Sequence, residues 1–206
     1  MNYFVTAIGT NSGKTLISAI LVEALQADYY KPIQSGSEDL DYKTIEAYNN
    51  NHYCMVYPSQ FLLKTPASPH YAAKVEGLEI KIADILYPDT ENTLVIEGAG
   101  GLLVPLNEKG EFMADLIQSI DCEVILVVNL YLGCINHTLL TVNELKRRQI
   151  KVKGVIFNGE STQETEQIIL QHSGYRVLLK VKREAEINQE IIKKYAIQLM
   201  AEFYND

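Results

Sequence analysis

Short apolar runs alternate along the chain with longer stretches in which apolar residues recur every three to four positions. That alternation is the pattern of βα units wound around a mostly parallel sheet. The runs predict strands over Tyr3–Ile8, Tyr29–Ile33, Thr93–Glu97, Glu123–Asn129, Val152–Asn158 and Tyr175–Val181. Several are apolar at consecutive positions, as in Val124-Ile125-Leu126-Val127-Val128, which suits strands covered by helices on both faces. The periodic stretches predict helices over Lys14–Ala27, Asn136–Arg148, Gln163–His172 and Asn188–Tyr204. The last of these carries Ile187, Ile191, Ile192, Tyr195, Leu199 and Phe203 on one side and charges of both signs elsewhere, which marks a core-packing helix. Between Ser35 and Thr93 the period is broken by Pro58, Pro66, Pro69 and Pro88, and the segment reads as a helical insertion that covers a site. With no repeat and no linker, the expectation is one α/β domain over residues 1–206: a doubly wound, mostly parallel sheet in three α/β/α layers.

The 206 residues are 47% hydrophobic, enough for one sizeable core. Composition changes the picture chiefly by exclusion. Lysine and arginine total 18 against 26 aspartates and glutamates, a net charge of -8, so a nucleic-acid partner is not expected. The densest basic cluster, Lys146, Arg147 and Arg148, falls at a predicted helix end, where cations complement the helix dipole. Cys54, Cys122 and Cys134 are odd in number and widely spaced, which speaks against a disulfide framework or a zinc clip. No signal-peptide pattern and no apolar stretch of roughly 18 residues occurs, so no membrane association and a cytoplasmic location are expected.

The first strand runs into Gly9-Thr10-Asn11-Ser12-Gly13-Lys14-Thr15 and then into the stripe Leu16, Ile17, Ile20, Leu21 and Leu25. Strand, glycine-bearing loop and helix in that order form the context of a phosphate loop. Gly13 lets backbone approach an oxygen closely, and successive N–H groups at the helix start face phosphates. Lys14 supplies a charge for the β- and γ-phosphates, and Thr15 a hydroxyl for Mg²⁺. The strict pattern G-x-x-x-x-G-K-[ST] fails by one position, because its first glycine would stand at Ile8. The competing reading is a plain glycine-bearing turn before a helix that starts Lys-Thr; the position after the first strand favours phosphate.

Thr93-Leu94-Val95-Ile96-Glu97 reads as a buried strand ending in a carboxylate, followed by Gly98-Ala99-Gly100-Gly101. In open α/β sheets ligands sit beyond the carboxyl ends of the strands, so Glu97 is expected beside the phosphate loop. It would anchor Mg²⁺ there or cap a loop through backbone N–H groups. Lys31 ends the second predicted strand, with Ser35 in the turn beyond. It is either a second lysine stabilising a transferring phosphoryl group or a solvated strand-end lysine. Asp39 and Asp41 begin a predicted helix, whose dipole they would complement. His52, His70, His137 and His172 show no ligand spacing, and Cys134 reads as a packed small hydrophobe.

Five separated segments together are similar to the dethiobiotin synthetase family: FVTAIGTNSGKT (Phe4–Thr15), YKPIQSGS (Tyr30–Ser37), ASPH (Ala67–His70), VIEGAGGLLVPL (Val95–Leu106) and LGCINHTLLT (Leu132–Thr141). The resemblance implies a homodimeric P-loop fold and a ligase of biotin biosynthesis that joins 7,8-diaminononanoate, CO₂ and ATP with Mg²⁺. By match, Lys14 and Lys31 are implied to be catalytic and Ser35 to orient the substrate. The same match implies that Thr15, Asp41 and Glu97 hold the metal. Asn11, Ser12, Gly13, Lys14, Thr15 and Leu16 would line the nucleotide with Asp41, Glu97, Gly98, Ala99 and Gly100, and Asn158 and Gly159 would meet the adenine. Gly133, Cys134, Ile135 and Asn136 would serve the substrate across the dimer interface. Departures stand out: Ala7 where the family usually has glycine and Asn11 where many members have an acid, a stretch from Ser35 to Asp41 shorter than in some relatives, which leaves Asp39 as the alternative to Asp41 at the metal, and Val181-Lys182 where Ile-Pro is common.

A different class, the partition or positioning ATPase switch, uses the loop K-G-G-x-G-K-[ST]. Its signature lysine would fall at Gly9, and the chain has no basic amphipathic tail.

Overall fold

The structure is a computed structural model that describes residues 1–49, 54–160 and 162–204; His52 lies outside the described residues. In chain order the elements are β1 (Asn2–Ala7), α1 (Lys14–Leu25), β2 (Asp28–Tyr30), β3 (Ile33–Ser35), α2 (Asp41–Tyr48), β4 (Val56–Tyr57), β5 (Phe61–Leu63) and α3 (Pro69–Val75). A 3₁₀ turn at Ile82–Asp84 leads to β6 (Leu94–Glu97), α4 (Met113–Gln118), β7 (Glu123–Asn129), α5 (Cys134–Arg147), β8 (Val152–Asn158), α6 (Gln163–Ser173), β9 (Val177–Val181) and α7 (Gln189–Phe203).

Seven strands form one sheet in the order β4-β2-β6-β1-β7-β8-β9, every pair parallel. The chain leaves β1 toward β2 on one side and later crosses to β7 on the other. The order therefore reverses at β1, and a crevice opens where its carboxyl end meets those of its neighbours. Alternation along the strands feeds two buried layers. Phe4, Ile96, Leu126 and Phe157 pack with Met113, Leu116, Val142 and Leu145 on one face. Val5, Val95, Ile125 and Ile156 pack with Ile17, Ile20, Leu21, Leu199 and Phe203 on the other. The α7 stripe reaches the core as its period predicts, and Phe203 meets the Tyr3 ring edge-on at 5.1 Å. The fold class is the one the periodicity implies, a doubly wound parallel sheet between helical layers. Among the described residues no helix is long and apolar enough to cross a membrane.

Some local expectations change. The run Tyr29–Ile33 is not one strand: β2 stops at Tyr30, and β3 resumes at Ile33 in a separate two-stranded parallel sheet with β5. Pro32 causes the break, since it carries no N–H to donate and serves only as an acceptor, taking Phe61 N–H at 2.9 Å. The segment after Ser35 is not purely helical, for it supplies β4 to the main sheet and β5 to the small one. Helix α5 starts two residues earlier than Asn136, because Gly133 takes a left-handed φ of 105° and turns the chain into it. Strand β9 starts at Val177, not Tyr175.

Candidate active site

Three parallel strands deliver their carboxyl ends to the same edge: β1 opens into residues 8–13, β6 ends at Glu97, and β2 leads directly to Lys31. Register fixes their relation, with Val5 opposite Glu97 and Tyr30 opposite Ile96. Gly13 caps α1 with φ 87° and no side-chain hydrogen bond, and the first turn of the helix contains no acid. The free N–H groups and the positive end of the helix dipole therefore face the crevice, an arrangement suited to phosphate. A Cβ on Gly13 would stand 2.2 Å from Asn158 Nδ2, so both the dihedral and the available space require glycine. Asn158 Nδ2 donates to Ser12 O at 2.9 Å and ties the end of β8 to the loop; Ser12 Oγ donates to Gly9 O at 2.9 Å within it.

Lys14 is buried, with 7% of its surface exposed, yet it makes no hydrogen bond or ion pair among the described residues. Burial pulls its pKa below the ordinary lysine range; Glu97 opposes that shift and Lys31 reinforces it. Such an ammonium feels the charge of Glu97 and Asp41 without a direct pair, and a phosphate would supply one. Lys31 differs. It is equally buried but lies against Asp41 and stands 3.3 Å from Glu97 Oε1. Burial alone would lower its pKa, but Glu97 and Asp41 together outweigh it and hold the value above the ordinary range.

The same two carboxylates meet at Thr15, whose Oγ1 lies 2.8 Å from Asp41 Oδ1 and 3.1 Å from Glu97 Oε1. One hydroxyl proton serves one acceptor at a time, so the cluster Thr15, Asp41 and Glu97 has oxygen lone pairs to spare on both sides of Lys31. Tyr29 OH donates to Glu97 Oε2 at 2.9 Å. Glu97 is 1% exposed, and this second donor fixes its other oxygen. Burial, then the charge of Glu97, pushes the Tyr29 hydroxyl well above its ordinary pKa. Tyr29 was not legible as a site residue, because an aromatic in an apolar strand reads as core until the β2–β6 pairing is known.

The other residues singled out in the sequence are more dispersed. Asp39 is exposed and joins no contact of this cluster. Asn11 is exposed with φ 56°, a conformation asparagine tolerates, and Leu16 is half-buried on the first turn of α1. Gly98 and Ala99 are buried, Gly98 N donates to Val5 O at 3.0 Å, and Gly100 takes φ 66°. Gly159 follows Asn158 and donates its N–H to Val181 O at 2.8 Å. Ser35 closes β3, and its buried hydroxyl has no partner among the described residues. Gly133, Cys134, Ile135 and Asn136 lie beyond β7 at the start of α5 and share no hydrogen bond with the Lys31 cluster. Cys134 is buried, while Gly133 and Asn136 are exposed.

A cleft of about 300 Å³ runs from the start of the phosphate loop (Ile8, Gly9, Thr10) past Gly101, Leu102, Leu103 and Val104 to the α5 side chains His137, Leu140, Thr141 and Glu144. Its mouth carries exposed apolar side chains: Leu103 and Leu140 line it, and Tyr131, next to the fully exposed Leu132, binds His137 through its hydroxyl.

Residues 1–191 match the model of the AAA domain family. The chain is 55% identical over 203 residues to an ATP-dependent dethiobiotin synthetase BioD of Cytophaga hutchinsonii, covering 98% of each chain. It is 45% identical to the protein of the same name from Christiangramia forsetii, over 95% of this chain and 94% of that one. Among solved structures it superposes on the septum site-determining protein MinD of Pyrococcus horikoshii OT3, complexed with Mg-ADP. That match has a TM-score of 0.58 and 15% identity, over 98% of this chain and 93% of the other, a likeness of fold alone.

Proposed function

The chain belongs to the ATP-dependent dethiobiotin synthetase family, and from that premise we propose how its own residues divide the work of the reaction. The enzyme is a ligase of biotin biosynthesis that converts 7,8-diaminononanoate and CO₂ to dethiobiotin at the expense of ATP. One amine of the substrate adds to CO₂, loses a proton and becomes a carbamate. A carbamate oxygen attacks the γ-phosphorus, ADP departs, and a mixed carbamic–phosphoric anhydride remains. The second amine attacks its carbonyl carbon, the ring closes, and phosphate leaves with the bond electrons.

Negative charge moves at each step, so the protein's task is largely placement and charge stabilisation. Lys14, with the N–H groups of the first turn of α1, holds the β- and γ-phosphates. Lys31 stabilises the carbamate and the transferring phosphoryl group from the opposite side, and Ser35 orients the diamine. Ser12, Gly13 and Asn158 shape the nucleotide seat, and the half-buried Leu16 flanks it.

The donor set of Thr15, Asp41 and Glu97 fits Mg²⁺. All are hard oxygen ligands, both carboxylates lie within hydrogen-bond distance of the Thr15 hydroxyl, and the set leaves the remaining coordination positions to phosphate and water. When bound, the ion neutralises phosphate charge and helps orient the β- and γ-oxygens. The observation that carries the assignment is the contrast between the two buried lysines: Lys31 already pairs with two carboxylates, whereas Lys14 makes no ion pair among the described residues and stands at an uncapped helix start.

The residues act within one domain spanning the chain, and two copies pair in the cytoplasm through the apolar mouth around Leu103, Leu132 and Leu140. Apolar side chains clustered around a cleft mark an interaction surface. Pairing brings Gly133, Cys134, Ile135 and Asn136 of one copy toward the diamine bound by the other. The switch-ATPase alternative shares the fold, but the position of its signature lysine is Gly9 here.

The direct test is phosphate release from MgATP. It should require both the diamine and bicarbonate; turnover without the diamine would overturn the reading. Lys31→Ala should depress kcat far more than it weakens ATP binding, and equal loss of both would remove Lys31 from its catalytic role.

A further inference from the structure

The small sheet just beyond Lys31 holds a buried polar group with no role in the phosphate and metal chemistry described so far. Gln34 is 6% exposed, in the middle of β3. Its Nε2 donates to the carbonyls of Ser35 at 3.3 Å and Gly36 at 3.5 Å, yet its Oε1 is buried and has no donor among the described residues. Turning the amide over would not help, because it would aim the carbonyl oxygen at two other carbonyl oxygens. The orientation is thus set by the turn, and what remains is an acceptor in need of an N–H or O–H. Ser35 Oγ, the adjacent side-chain oxygen, is also unpartnered.

A buried amide oxygen without a donor costs stability, and a protein that retains one at a site has a use for it. Gln34 stands three residues after Lys31, within roughly 10 Å of it along an extended chain, and Gly36 with φ 88° closes the turn against Pro66. A diamine seated by Lys31 and Ser35, as proposed above, would bring N–H donors here: the amine that becomes a carbamate and the amine that closes the ring. Phosphate and carbamate oxygens are acceptors, which Gln34 Oε1 would repel. The group therefore discriminates for the diamine and against the nucleotide.

We propose that Gln34 is a specificity-determining residue whose side-chain oxygen accepts a hydrogen bond from an N–H of the bound diamine. The inference rests on the diamine reading above and extends it to a residue outside the phosphate and metal machinery.

Steady-state kinetics of the full-length enzyme, with the diamine and ATP varied separately, test it. Gln34→Met keeps the side-chain length and removes the acceptor. It should raise the KM for the diamine about tenfold or more, the usual consequence of losing a hydrogen bond to a charged or polarised donor. The KM for ATP should stay within about twofold. Methionine also removes the Nε2 donor to the Ser35 and Gly36 carbonyls, so a fall in the thermal midpoint of the ligand-free protein is expected, and the selective rise in the diamine KM is the readout that a structural role alone would not produce. Should Gln34→Met not fold, Gln34→Asn sets the amide one methylene short and should show the same selective rise. An unchanged diamine KM, or a parallel rise in both KM values, overturns the proposal. Wild-type turnover that needs no diamine would instead overturn the functional reading, so the two failures are separable.

Discussion

Tyr29 on β2 donates its hydroxyl to Glu97 on β6 at 2.9 Å, across two paired strands and at almost complete burial. The bond holds one carboxylate oxygen of Glu97 while the other faces Thr15 and Lys31. Tyr29→Phe removes only the oxygen. It should cost about 1.5–3 kcal/mol in urea unfolding, the range for hydrogen bonds to charged groups. If Tyr29 also keeps Glu97 turned toward the metal position, the Mg²⁺ concentration for half-maximal turnover should rise; an unchanged value would limit the tyrosine to a structural part.

Lys14 and Lys31 should respond in opposite ways when replaced by methionine. Lys14 carries a lowered pKa, so its charged form is disfavoured in the ligand-free protein. Lys14→Met should raise the urea midpoint at pH 7 while abolishing stabilisation by ATP. The gain should shrink as pH climbs from the lowered folded value toward 10.5, because the wild type sheds its burdened proton over that window. Lys31 carries a raised pKa, so its contribution is complete below 10.5 and is lost as pH rises through the higher folded value. Lys31→Met should cost about 3 kcal/mol at pH 7 by leaving Asp41 and Glu97 without their cation. Loss of stability in both variants would contradict the distinction between them.

Gly13→Ala should abolish nucleotide binding even where the chain still folds. The new Cβ would stand 2.2 Å from Asn158 Nδ2, at a φ of 87° that alanine disfavours. Isothermal calorimetry with MgATP is the measurement; near-normal affinity would show that the loop can rearrange around the methyl group.

Asp41→Asn keeps shape and removes one negative charge from the Thr15–Asp41–Glu97 set. Half-maximal turnover should then require at least about tenfold more Mg²⁺, consistent with the loss of one charged ligand from a site that uses few protein groups. Asp39→Asn, at an exposed position outside the cluster, should leave the requirement unchanged.

Leu140→Glu places a charge in the apolar mouth of the cleft, where Leu140 is 61% exposed. Sedimentation should shift from dimer to monomer, and turnover should fall with it. A monomer with full activity would refute a shared substrate site.

Six of the seven main-sheet strands and the phosphate loop were legible because they rest on local pattern, consecutive apolar residues and a loop set between a strand and a helical stripe, whereas the two-residue edge strand β4 was not. Glu97 was legible for the same reason, as an acid closing an apolar run. Pro32 gave notice of a break, but the β3–β5 pair did not show, since strands of three residues have no period to detect. Tyr29 and Gln34 were illegible for a different reason. Their roles depend on partners supplied by non-consecutive strands or by the turn carbonyls, and neither appears in the order of residues. The choice between Asp39 and Asp41 likewise depended on the angle at which α2 leaves its turn, which composition does not encode.

The bond from Asn158 to Ser12 spans 146 positions of the chain, and it buttresses the loop from a strand laid down three-quarters of the way along. During translation the first helix can form early, but the wall behind its phosphate seat emerges only once β8 has left the ribosome. The nascent polypeptide should therefore gain affinity for ATP late and abruptly, and a prematurely terminated fragment ending before Asn158 should not sequester the cell's nucleotide.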